Sequence, residues 1–197
     1  MKEKIIEKAA ELFLKVGFKS ITMDDIASKM GISKKTLYKY FANKEVLVDE
    51  TTMDFQRKIH AKIEDIISRN YNPIRELFEI KKSIQGFFQI TETSPLYQLK
   101  KHYPETHEKL MASEQEECTQ FFRQNIHKGI ASGVYRANTD IDTCTLFYYT
   151  LMMHINETTV LEKDIHKLDF ALLEYHTRAI ATPEGITELE QQLATLN

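Results

Sequence analysis

The sequence predicts an all-α fold, on three observations. Glycine and proline are scarce, 6 and 4 among 197 residues, so there are few breakers and no strand-turn-strand spacing. Apolar residues recur in steps of three and four along most of the chain, the period of a helix with one buried face. The interruptions fall where helix ends belong, with Ser, Thr, Asp or Asn before a run and Gly or Pro after it. A hydrophobic fraction of 42% and a charged fraction of 28% are those of a globular chain long enough for a small module and a moderate core.

The first apolar series is Ile5, Ile6, Ala9, Leu12, Phe13 and Val16, and Gly17 ends that helix. Thr22 is a suitable N-cap for a second, with Asp24 and Asp25 in the first turn where the helix dipole favours acid. Ile26, Ala27 and Met30 form its inner face, Gly31 stops it, and Ile32 plugs the core from the turn. Ser33 caps a third helix, in which Leu37 and Phe41 face inward while Lys34, Lys35, Tyr38 and Lys39 fall on the other side. This third helix is expected to run until Asn43, which caps a fourth. Two short helices joined by a tight turn with glycine are the sequence form of a helix-turn-helix.

The fourth helix opens at Lys44-Glu45 and continues through Phe55, Ile59 and Ile63 to about Ser68. Asn72-Pro73 opens a fifth through Phe88, and Ser94-Pro95 breaks it. A short segment, Leu96 to Tyr103, ends before Pro104. A long helix follows from about Glu105 to Ala131. Asp140 caps the next, spanning about 140–159, and a last major helix covers about 164–181. Thr182-Pro183 then leads into a short tail helix through Ile186, Leu189 and Leu193. No repeat or low-complexity segment interrupts the pattern.

Charge is uneven. Residues 1–47 hold ten lysines against six acids, a surplus of four, which leaves sixteen basic and twenty-three acidic residues for the rest. A basic head on an acidic body implies that the head meets a polyanion. Cys118 and Cys144 form no CxxC pair and read as free thiols of a reducing compartment. No run of 18 apolar residues spans a membrane, and the N-terminus enters a helical pattern without an apolar leader, so a cytoplasmic protein is expected. His102, His107, His154, His166 and His176 form no metal-ligand spacing, so neither metal nor cofactor is expected. GxSxG, Walker and Cys-His nucleophile patterns are absent, which points away from an enzyme.

The stretch from Thr22 to Leu47 resembles the helix-turn-helix of TetR-family transcriptional regulators. The family pattern, roughly T-x-x-x-I-A-x-x-x-G-[VI]-S-x-x-T-[LI]-Y-x-[YH]-F-x-x-K-E-x-L, is met by Thr22, Ile26, Ala27, Gly31, Ile32, Ser33, Thr36, Leu37, Tyr38, Tyr40, Phe41, Lys44, Glu45 and Leu47. Lys35 departs from it, since many relatives carry glycine there. The resemblance covers about a quarter of the chain. It implies a three-helix DNA-binding domain at 1–47 and a helical bundle at 48–197 for ligand binding and dimerisation.

In that reading Lys34, Lys35 and Thr36 meet base edges in the major groove. Tyr38 and Tyr40 meet phosphate through their hydroxyls, Tyr38 also being placed for a thymine methyl, while Ser33 and Lys39 stay open between phosphate and base. Lys44 binds phosphate at a helix N-terminus, and Thr22 does so at another. The last two major helices pair with a second copy, giving a homodimer on a palindromic double-stranded operator. The middle helices enclose a site for a small apolar or aromatic ligand, with Phe87, Phe88, Phe121, Phe122, Tyr148, Met152 and His154 as candidate lining. The same head suits an architectural DNA-binding protein or one controlled by a protein partner, and the sequence alone leaves these alternatives open.

Overall fold

The computed structural model describes residues 1–88, 93–159 and 161–196. Among them are ten helices: α1 (Lys2–Val16), α2 (Met23–Met30), α3 (Lys34–Tyr38), α4 (Lys44–Ser68), α5 (Pro73–Phe88), α6 (Pro95–His102), α7 (Pro104–Ala131), α8 (Ile141–Thr158), α9 (Glu162–Ile180) and α10 (Pro183–Ala194). No β-strand occurs among the described residues beyond two isolated bridges, Thr93 with Leu161 and Tyr135 with Ala181. No helix there is long and apolar enough to cross a membrane.

The caps explain where the helices begin. Thr22 Oγ1 accepts from the Asp25 amide at 3.1 Å, and the Asp25 carboxylate accepts in return from the Thr22 amide at 2.9 Å. This reciprocal box satisfies two amides that would otherwise have no acceptor. Ser33, Asn43 and Asp140 accept from Thr36, Val46 and Thr143 in the same way. Ser94 and Thr182 cap α6 and α10, each followed by a proline at the first helical position.

One expectation is corrected. The third helix ends at Tyr38 and does not run on to Asn43. Lys39, Tyr40 and Phe41 follow in turns held by the Lys35 and Leu37 carbonyls. Phe41 reaches the core from this turn and is fully buried. Its inward spacing mimics another helical turn.

Two hydrophobic clusters organise the molecule. The first joins Ile5, Ala9, Phe13, Ile26, Leu37, Phe41 and Leu47, and it also takes in Leu99 of α6 and Leu110 of α7. The head is therefore seated on the body through α6 and α7 as well as through α4. The second cluster gathers Ile74, Phe78, Phe122, Ile126, Tyr148, Leu173 and Leu189 from α5, α7, α8, α9 and α10. At its edge Tyr135 is 1% exposed and lies against Gly129 of α7, where an added Cβ would come within 1.9 Å of the ring. That close approach accounts for a glycine inside a long helix.

Candidate nucleic-acid interface and effector cavity

The head presents one polar surface built on α2, the turn and α3. Gly31 sits at φ 64°, a left-handed conformation open to glycine at little cost. It lets the chain reverse between α2 and α3, and the Ile32 amide then bonds the Ala27 carbonyl at 3.0 Å. With Leu37 and Phe41 fully buried beneath, the outer side of α3 is fixed in orientation. Ser33, Lys34, Lys35 and Tyr38 are exposed on it, Thr36 is half-buried, and Lys39 and Tyr40 are exposed in the turn that follows. Tyr38 is 48% exposed, with its ring and hydroxyl turned to solvent beside the lysines.

Individual side chains differ in how free they are. Lys34 Nζ lies 2.5 Å from Asp24 Oδ2, tying α3 to the first turn of α2, and this carboxylate holds the ammonium above its ordinary range. Ser33 Oγ is engaged with Thr36 Oγ1 at 2.8 Å. Thr22 Oγ1 donates to Asp25 Oδ2 at 2.6 Å, so its hydrogen is already committed to the cap. Lys44 Nζ donates to the Lys19 carbonyl at 3.3 Å and lies 5.7 Å from the centre of the Tyr103 ring. Its side chain thus links the α1–α2 turn to the junction of α6 and α7. The sequence reading did not foresee Asp24 or Tyr103 as partners, since neither contact follows from helical spacing.

Behind the head lies an apolar cavity of about 230 Å³ between α1, α4, α5, α6, α7, α8 and α9. Small-molecule sites commonly run ~300–1,000 Å³, so this is a narrow one. Of the candidate residues, Phe88, Phe121, Phe122, Tyr148 and Met152 line it. Phe87 stands beside it, edge-on to Phe55 at 5.5 Å between ring centres, and His154 is exposed outside the lining. Sequence reasoning missed the α4 wall, which includes Thr51, Thr52, Phe55 and Ile59, and a buried ion pair between Lys81 and Asp169 at 3.1 Å. No local pattern announces a pair whose partners sit on α5 and α9.

The cysteines are free, and burial pushes the Cys118 thiol up to about 12, so it stays protonated and unreactive.

On the far side of the body, α8 and α9 leave large apolar side chains in solvent. Phe147 is 62% exposed and Tyr175 is 70% exposed, with Leu146, Leu151 and Leu168 beside them in sequence. Side chains of this kind on adjacent helices are the mark of a surface that another protein covers.

A capped two-helix unit with a basic, aromatic outer face, carried on an all-α body, defines a helix-turn-helix protein. Residues 5–51 match the model of bacterial regulatory proteins of the TetR family. Over 73 residues the chain is 37% identical to the HTH-type transcriptional repressor KstR2 of Mycobacterium tuberculosis, a match covering 37% of this chain and 36% of that protein. The alignment thus spans about a third of the length of that curated relative. A transcriptional regulator from Cytophaga hutchinsonii has a similar structure, with a TM-score of 0.74 at 19% identity over 91% of this chain and 98% of that one. A TetR-family regulator from Marinobacter aquaeolei gives 0.74 at 16% identity, covering 98% of each chain. At these identities the likeness is one of fold.

Proposed function

We propose that the chain is a cytoplasmic, sequence-specific DNA-binding transcriptional regulator, a binding protein without catalysis. It acts as a homodimer on a palindromic operator and is a repressor released by a small apolar or aromatic ligand. The observation that carries this reading is the outer face of α3. Lys34, Lys35 and Tyr38 are exposed there on a helix capped by Ser33 and anchored by Leu37, and Lys39 is exposed in the turn that follows. Lysines supply counterion release, and the helix width suits a major groove. Lys34, Lys35 and Thr36, in the first turn, are the residues assigned to bases. Tyr38, Lys39, Tyr40 and Lys44 are assigned to phosphates, with Thr22 and Ser33 acting first as caps.

One such helix reads too few base pairs for a unique site. The apolar residues left in solvent on α8 and α9 support pairing with a second copy through a four-helix interface. Two heads then meet half-sites about 34 Å apart or a multiple of that. The cavity is bounded by α1 and α4, the helices that carry the head, so filling it shifts the balance between head arrangements.

Selection of bound sequences from a random DNA pool tests the reading. A palindromic consensus with two related half-sites is expected. Binding without an enriched motif, together with a steep salt dependence, would contradict it and favour an architectural protein.

A further inference from the structure

The cavity is apolar overall, yet a few polar groups on its wall have unused bonding capacity, and these define what fits. Their role as ligand contacts rests on the cavity being the effector site. Thr51 and Thr52 of α4 line it and are 4% and 8% exposed. Neither hydroxyl has a hydrogen-bond partner, and each oxygen is sealed from the cavity as it stands, so a rotation about χ1 must exchange it with the methyl before a guest can bond it. A hydroxyl withdrawn from water without a partner is costly, and a bound oxygen relieves that cost. On another wall Lys81 Nζ meets Asp169 Oδ2 at 3.1 Å, both side chains being 10% exposed. Asp169 also accepts from Asn156 Nδ2 at 3.4 Å. An ammonium has three N–H donors. Lys81 therefore keeps donors to offer while its charge is already balanced.

The two polar positions stand at different heights. The link 69–72 is short, so α4 and α5 run antiparallel, and Phe55 of α4 meets Phe88 of α5 at 5.4 Å between ring centres. Thr52 lies three residues before Phe55, and Lys81 lies seven before Phe88. At a rise of ~1.5 Å per residue, the two levels are about 15 Å apart along the bundle. The wall between them is apolar, with Ile59, Ile84 and the two rings.

Charge narrows the choice further. An anion at Lys81 would leave the buried pair with net negative charge, and a cation would face Lys81 itself. The remaining carboxylate on the wall, Glu114, is engaged by His60 Nε2 at 2.8 Å. We infer that the cavity takes an uncharged, elongated, mostly hydrocarbon molecule with an oxygen acceptor at one end for Lys81 and a second oxygen at the other for Thr51 and Thr52.

A dye-displacement series tests this, using the uncharged probe N-phenyl-1-naphthylamine on the full chain, which has no tryptophan to interfere. The competitors share a twelve-carbon chain: a diol with one hydroxyl at each end, the single alcohol, the carboxylate and the alkylammonium. The diol and the alcohol are expected to displace the dye at least tenfold more tightly than either ion. In a Thr51→Val/Thr52→Val variant the diol should fall to the level of the alcohol, while the melting temperature of the free protein holds or rises. Equal or tighter binding of either ion would overturn the inference and leave the effector cavity standing. A diol unaffected by the valines would overturn the assignment of that end. If the dye itself does not bind, the effector-site reading fails along with the inference.

Discussion

The head and the cavity-bearing body use the same building element, an amphipathic helix, but fill it in opposite ways. In the head Ile5, Phe13, Ile26, Leu37 and Phe41 are fully buried, and α2 and α3 both begin at a capping side chain. Its polar residues face outward. The body buries polar groups and leaves a hole. Glu76, 2% exposed, accepts from Asn125 Nδ2 at 2.9 Å and pairs with Lys128 at 2.7 Å. Lys81 and Asp169 form a second buried pair beside the cavity. Tight packing suits a surface that must hold several side chains in register against a groove. Looser packing with paired charges suits a compartment that must accept a guest.

The sharpest way to break this comparison is to truncate one ring in each region. Phe41→Ala empties a fully buried site, and loss of about 3–5 kcal/mol is expected, as for buried phenylalanines generally. Phe88→Ala enlarges an existing cavity and should cost less than half as much. Thermal unfolding of both variants measures this. Equal losses would mean that the cavity wall is as tightly packed as the head.

A second effect belongs to the body alone. His176 packs against Tyr148 at 4.6 Å between ring centres, and burial pulls its imidazole down from 6.5 to about 4. The unfolded chain takes up the proton first, so stability is complete above about pH 6.5 and declines as pH falls toward 4. A shift of this size corresponds to roughly 3 kcal/mol. His176→Phe should flatten that part of the stability profile, and an unchanged slope would remove His176 as its cause.

The contrast also explains what could be read from sequence. Thr22, Gly31 and Ser33 act within three or four residues of themselves, so their roles as caps and turn were legible. The end of α3 was not, because Phe41 continues the helical spacing while sitting in a turn. In the body, Glu76, Lys81 and Asp169 look like solvent-facing residues of amphipathic helices. Their burial depends on partners on other helices, which no local period encodes. Phe88, Phe121 and Phe122 are aromatic residues at helical spacing, and that spacing is the same for cavity wall as for core.

Smaller effects sharpen the assignment of the head. Lys35→Ala is expected to change the preferred bases, with about 1–3 kcal/mol of discrimination lost at the affected position. Lys39→Ala should instead weaken all sequences alike and lower the salt slope by about one. Repeating the sequence selection with each variant separates the two. A preference unchanged by Lys35→Ala would remove that residue from base reading. Smallest of all, Thr22→Ala deletes the capping box of α2 and should cost about 1 kcal/mol of stability, read by denaturant unfolding.

The most direct measurement of the central claim is the affinity of the purified protein for its selected operator against a scrambled duplex of equal composition, both at physiological salt. A specific dimeric regulator predicts a preference of at least about a thousandfold, with two protomers bound per operator. Equal affinity for the two duplexes, carried by salt-sensitive phosphate contacts alone, would contradict it.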